Sequence, residues 1–366
     1  MTSALFSPIR LAELELANRI VVSPMCQYSA DDGVASDWHL NHLGMLANSG
    51  AALVVIEATG IERSGRISHG CFGLYSDDCE AGLARVVAHC RRYGTAKLGI
   101  QLAHAGRKAS AQRPWEGGQA LGRGQDPWET IAPSAIPFGA KWPTPREMTT
   151  DDMARVRDGF VQAAQRAIRA GIDLIELHGA HGYLLHSFVS PISNRRSDGY
   201  GGSLAARMRF PLEIAQAVRA AMPKGMPLGA RITGNDWSEG GLTPDDAVAF
   251  ARALKEAGLD FVCISSGGIS AETRPTLVAN TNVEFAEKVK REAGIATRTV
   301  GLIATPKQAE TIIADGKADM VALARAMLDD PHWGWHAAQT LGAEVVRPKQ
   351  YQRAAPKVWA GASYRD

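Results

Sequence analysis

Short apolar runs rich in Val, Ile and Leu recur along the chain, at residues 20–23, 53–59, 98–102, 174–177, 228–232, 261–265, 298–300 and 320–323. They are nearly continuous rather than alternating, which is the pattern of parallel strands buried on both faces. Amphipathic stretches lie between them and predict helices over 38–49, 81–93, 150–170, 203–222, 244–257, 284–293 and 306–315. Several carry start and stop signals, such as Thr149-Thr150-Asp151-Asp152 with Gly171, and Thr243-Pro244-Asp245-Asp246 with Gly258. Eight strand-then-helix units joined by right-handed crossovers close most simply into a single (β/α)8 TIM barrel of the α/β class. The competing doubly wound sheet usually announces a G-x-G-x-x-G turn after an early strand, and none stands there.

Two stretches break the alternation. Residues 106–148 are rich in Pro, Gly and Trp and follow the third strand, so they predict a long functional loop or lid on the C-terminal face. Residues 343–366 form a tail without helical pattern. No internal repeat or second-domain linker is visible, so the whole of 1–366 reads as one barrel domain.

Composition narrows the class. With 45% hydrophobic and 21% charged residues and a net charge of +2, the chain is an ordinary globular protein with no polybasic block for nucleic acid or membrane. Its five cysteines are widely spaced, with no C-x-x-C pair, and no apolar run approaches the ~20 residues of a membrane span. A reduced, cytoplasmic protein is expected.

In barrels of this kind the chemistry sits where the strands end at the C-terminal face. The first strand is followed there by Ser23-Pro24-Met25-Cys26-Gln27-Tyr28, and the second carries Glu57-Ala58-Thr59. The third brings Gln101 and His104, the fourth His178-Gly179-Ala180-His181-Gly182-Tyr183, the fifth Arg231, the seventh Gly301 and the eighth Ala324-Arg325. Two imidazoles three residues apart on one helical turn suit a metal site, as in a metal-dependent barrel hydrolase, or a pair of donors to a substrate oxygen. Arg231 would repel a metal cation, and the rim offers few further carboxylates. Tyr183 keeps its proton at neutral pH and so can protonate a strongly basic carbon. Gly301 with Arg325 fits the phosphate site that barrels build after their last strands. Cys26 has three readings here: a nucleophile, an inert buried thiol, or a thiol that touches a cofactor.

Taken together, these residues resemble the old yellow enzymes, a family of FMN-dependent ene-reductases. The likeness rests on L-A-N-R-I-V-V-S-P-M-C-Q-Y (16–28), I-Q-L-A-H-A-G-R-K (100–108), I-E-L-H-G-A-H-G-Y-L (175–184), S-N-R-R-S-D-G-Y-G-G-S (193–203) and Q-Y-Q-R (350–353). Cys26, Tyr28 and the C-terminal Gln-Tyr-x-Arg resemble the subgroup of thermostable-type ene-reductases and xenobiotic reductases. The resemblance implies non-covalent FMN with NADPH, or NADH, as hydride donor in ping-pong turnover. It implies that His178 and His181 hold the oxygen of an enone, nitroalkene or maleimide, that Tyr183 protonates Cα, and that Tyr28 adds a hydrogen bond. Cys26 would modulate the flavin, Ser23, Pro24, Met25 and Ala58 would line its ring, and Gln101 and Arg231 would contact its pyrimidine end. Gly301, Ala324 and Arg325 would hold the phosphate. Arg353, and with it Trp359, would reach the site of a neighbouring subunit in a homodimer or homotetramer. Other FMN barrel dehydrogenases remain the alternative. Val300 stands where related xenobiotic reductases can carry Trp, and that smaller side chain alters the shape of the pocket.

Overall fold

A computed structural model describes residues 3–364. Eight parallel strands close into a barrel: β1 Ile20–Val22, β2 Leu53–Gly60, β3 Lys97–Ala103, β4 Leu174–Gly179, β5 Leu228–Thr233, β6 Phe261–Ser265, β7 Ala296–Val300 and β8 Met320–Leu323. Each pairs with its sequence neighbours, and β8 closes on β1 through Val321–Ile20, Ala322–Val21 and Leu323–Val22. All eight expected strands are present. One main helix follows each strand: α1 Asp37–Leu46, α2 Asp77–Tyr93, α3 Thr150–Arg169, α4 Leu204–Ala221, α5 Pro244–Glu256, α6 Val283–Ala293, α7 Pro306–Ala314 and α8 Trp333–Thr340, with shorter helices, Leu184–Val189 and Arg325–Asp329, ahead of α4 and α8.

Helix starts follow the capping chemistry of the sequence. The side chains of Thr149, Ser203, Thr243 and Thr305 each accept a hydrogen bond from the backbone N–H three residues on. Such a cap contributes about 1 kcal/mol. The apolar core forms two layers. One lies between strands and helices. The other fills the barrel interior, where Val21, Leu53, Val55, Leu174, Phe261 and Met320 meet. A hairpin of Ile9–Leu11 against Leu14–Leu16 buries Leu11 and Leu16 on this inner layer, so it stoppers the end of the barrel opposite the strand C-termini.

Helix α8 was not expected from the sequence, and the long loop is more ordered than its composition implies. Within 106–148 lie two single-turn helices, Gly106–Lys108 and Pro114–Glu116, and a short strand pair, Ile131–Ala132 with Arg146–Glu147. Lys349–Ala354 and Ala360–Tyr364 in the tail are short 3-10 helical segments. Among the described residues no helix is long and apolar enough to cross a membrane.

Candidate active site

Several of the expected site residues stand where the strands end at the C-terminal face, held there by local devices. On β2 the register slips between Ile56 and Ala58, so Glu57 is a bulged residue. Its buried carboxylate turns toward the loop after β1 and accepts the backbone N–H of Gln27 at 2.9 Å, while His39 Nε2 stands 3.4 Å away. That anchor fixes the turn carrying Cys26 and Tyr28, and Tyr28 adopts a left-handed φ of 52°. Burial and then the neighbouring Glu57 push the Cys26 thiol well up. A thiol so held is a poor nucleophile, since the thiolate is the reactive form.

The two histidines are not on one helical turn. His178 is the penultimate residue of β4, while His181 lies in the following turn with φ 60°, before a short helix, Leu184–Val189. Their rings stand 5.2 Å apart and nearly perpendicular, and the Tyr183 ring is 4.8 Å from that of His178. Ala180 N–H donates to His178 Nδ1 at 3.2 Å, which leaves the proton on Nε2. His181 Nε2 meets Ser265 Oγ at 2.8 Å, so Nδ1 is the nitrogen that hydroxyl does not engage. Burial first, then the Arg231 charge, holds both histidines well below their usual pKa. They are neutral N–H donors at pH 7. Burial likewise pushes the Tyr183 phenol up, so it keeps its proton.

Arg231 on β5 is buried, with Nη1 3.4 Å from Ser23 Oγ and Nη2 3.3 Å from Ser265 Oγ. Both contacts are long, and its Nε has no hydrogen-bond partner. The guanidinium borders a cavity of about 460 Å³ that Gly301, Ala324 and Arg325 also line. Gly301 has φ 124°, and a Cβ there would come within 2.8 Å of Asn282 Nδ2, so only glycine keeps this wall open. The Asn282 Oδ1 beside it is buried and unpartnered. Arg325 is exposed at the rim. Two guanidiniums, one of them under-satisfied, and a glycine wall on one cavity fit an electron-rich, phosphorylated cofactor. Gln101 lies on the barrel floor, its Nε2 donating to Glu176 Oε1 at 2.7 Å.

Not every expectation converges. His104 accepts from Gly106 N–H and points Nε2 at Glu62 Oε1, 2.9 Å away, so it braces the loop instead of facing the cavity. Arg353 and Trp359 are exposed on the tail, which is seated by Tyr351 against Trp335 of α8. Among the described residues no group of three or more His, Cys, Asp or Glu is placed to hold a metal ion. Sequence reading missed Ser265, the hydroxyl shared by His181 and Arg231, although it is the last residue of β6 and the strand-end rule would have found it.

Fold and site define a barrel enzyme that binds a phosphorylated flavin. A profile of the NADH:flavin oxidoreductase / NADH oxidase family matches residues 4–344. The chain is 43% identical over 355 residues to an NADPH dehydrogenase of Geobacillus thermodenitrificans, covering 96% of this chain and 99% of that one. It is 42% identical over 354 residues to an NADPH dehydrogenase of Listeria innocua, with the same coverage. Among solved structures it is similar to morphinone reductase, with 27% identity, a TM-score of 0.78, and coverage of 95% of this chain and 92% of that one. A structure of morphinone reductase in complex with tetrahydroNAD matches with 26% identity and a TM-score of 0.76, covering 94% and 92% of the two chains. The chain belongs to the NADH:flavin oxidoreductase family, within the old yellow enzymes, and is an FMN-dependent NADPH oxidoreductase.

Proposed function

We propose that the protein reduces the activated C=C bond of α,β-unsaturated carbonyl and nitro compounds at the expense of NADPH. The observation that carries this reading is the grouping at the rim of two neutral imidazoles and one protonated phenol, the His181 and Tyr183 rings each about 5 Å from that of His178. Bound FMN would supply the hydride chemistry between nicotinamide and alkene that no side chain can. Ser23, Pro24, Met25 and Ala58 would line its ring and Cys26 would adjoin it, with Gln101 and Arg231 at the pyrimidine end and Gly301, Ala324 and Arg325 at the phosphate. His178 Nε2 and His181 Nδ1 would donate to the substrate's carbonyl or nitro oxygen as negative charge builds there. Removing one donor of this sort typically costs ~3 kcal/mol of transition-state stabilisation. Tyr183 would hand its phenolic proton to Cα, and Tyr28 would steady the substrate. Arg353 and Trp359 would complete the site of a neighbouring copy in a homodimer or homotetramer.

The test is spectral. Under anaerobic conditions NADPH should bleach the flavin absorbance of the purified protein, and cyclohexenone should restore it. Bleaching without restoration by cyclohexenone, a nitroalkene or a maleimide would leave an FMN barrel dehydrogenase of another kind.

A further inference from the structure

Lys108 stands at the start of the long loop, and its ammonium ties three loop segments together. Nζ donates to the carbonyl of His181 at 2.7 Å and to that of Gly268 at 3.2 Å. It also lies over the Tyr183 ring at 4.9 Å and the Phe138 ring at 4.4 Å. The segments after β4 and β6 touch backbone to backbone at this point. A Cβ on Gly182 would come within 2.2 Å of the Gly268 carbonyl oxygen, and one on Gly268 within 3.0 Å of that of His181. One ammonium thus serves a carbonyl oxygen from each segment, and its charge offsets the partial negative charge on both. His181 bears the further strain of a left-handed backbone, which persists only where its surroundings enforce it.

We propose that Lys108 is a positioning residue, whose ammonium holds the His181 peptide and the Tyr183 ring so that both present their donors to the substrate oxygen and carbon. This rests on the enone-reductase reading of the site. Among the described residues no hydrogen bond runs from Lys108 to a carboxylate, and the charge acting on it is the adjacent Arg107 guanidinium. The titratable groups facing it are His178, His181 and Tyr183 from the β4 side. The two histidines are neutral and the phenol protonated throughout the neutral range. Arg231 adds positive charge from β5 by acting on the same histidines. Burial, with Arg107 adding to it, brings the Lys108 ammonium down to about 7. Its grip is therefore present below neutrality and lost as pH rises through it.

Cyclohexenone binding to the oxidised holoenzyme, titrated by flavin absorbance without NADPH, reads this directly, because the ligand neither ionises nor turns over. From pH 5.5 to 8.5 the wild-type affinity should fall about tenfold. Lys108→Met should bind about tenfold more weakly at pH 5.5 and show no pH dependence. Lys108→Arg, which keeps its charge across the range, should bind tightly at every pH. A Met variant with wild-type affinity and an unchanged pH profile would overturn the inference, as would an Arg variant that weakens with pH as the wild type does. If the Met variant does not fold, wild type against Lys108→Arg decides on the same criterion. Wild type that fails to bind cyclohexenone at any pH overturns the enone reading, and the role of Lys108 with it. Wild type that binds it with flat pH dependence overturns only the role of Lys108.

Discussion

The barrel floor supplies the sharpest quantitative test. Glu176 on β4 and Arg298 on β7 form an ion pair across the interior, and neither side chain reaches solvent. Gln101 donates to the other Glu176 oxygen, and the guanidinium lies 5.4 Å from the Phe261 ring. Replacing Glu176 by Leu strands the arginine charge without its counter-ion. Breaking one side of a buried pair in this way typically costs 3–5 kcal/mol. With an unfolding entropy of about 2.1 cal/mol/K per residue over 366 residues, that loss lowers the melting temperature by about 4–7 °C. Replacing both partners, Glu176→Leu with Arg298→Met, removes the stranded charge and should recover most of the difference. Differential scanning calorimetry at one scan rate compares wild type, single and double variants, the rate being fixed because a chain of this size can unfold irreversibly. A single variant that melts with the wild type, or a double variant as labile as the single, would refute the reasoning.

Tyr183→Phe should slow re-oxidation by the alkene at least 100-fold while leaving the NADPH half-reaction within about twofold, as stopped-flow absorbance reads separately. Equal losses in both halves would remove Tyr183 from proton transfer. Deleting the chain from Pro348 should raise the KM for cyclohexenone if Arg353 completes a neighbouring site, and an unchanged KM would dismiss that role. Acid stability should report Glu62: burial raises its pKa, but the hydrogen bond from His104 and the pairing with Arg155 outweigh it and bring the carboxyl down to about 2. Its stabilisation, about 3 kcal/mol at most, is present above the unfolded value near 4.5 and is lost as pH falls toward 2. Glu62→Gln should therefore melt well below wild type at pH 6 and close to it at pH 2.5. A gap that stays constant between those two values would exclude the carboxylate as its source.

The barrel was readable because its strands are continuous apolar runs with capped helices between them, and the rim followed from taking the residue at each strand's end. What escaped reading has local causes. The bulge that turns Glu57 under the Cys26 turn inserts a residue, and no periodicity marks it. Glu176 and Arg298 are charges inside apolar strands, and only the closed barrel brings them together from 122 positions apart. Lys108 reads as a loop cation until the carbonyls of His181 and Gly268 are seen around it. Helix α8 escaped because its start, Trp333-Gly334-Trp335, is shaped by a tertiary contact: a Cβ on Gly334 would meet the Ser49 carbonyl oxygen at 2.6 Å. The histidine pair was found as a pair, yet its geometry was misread, because a strand end followed by a tight turn spaces residues much as a helix does.

The contact between Gly182 and Gly268 bears on how this enzyme can be redesigned. Mutant libraries that vary Gly182 or Gly268 will be filled with inactive clones, since both have left-handed φ and a Cβ on Gly182 would collide with, and one on Gly268 crowd, the other loop's main chain. Substrate range is better widened at Val300 and Leu302, which border the cavity and leave His181, Tyr183 and that junction untouched.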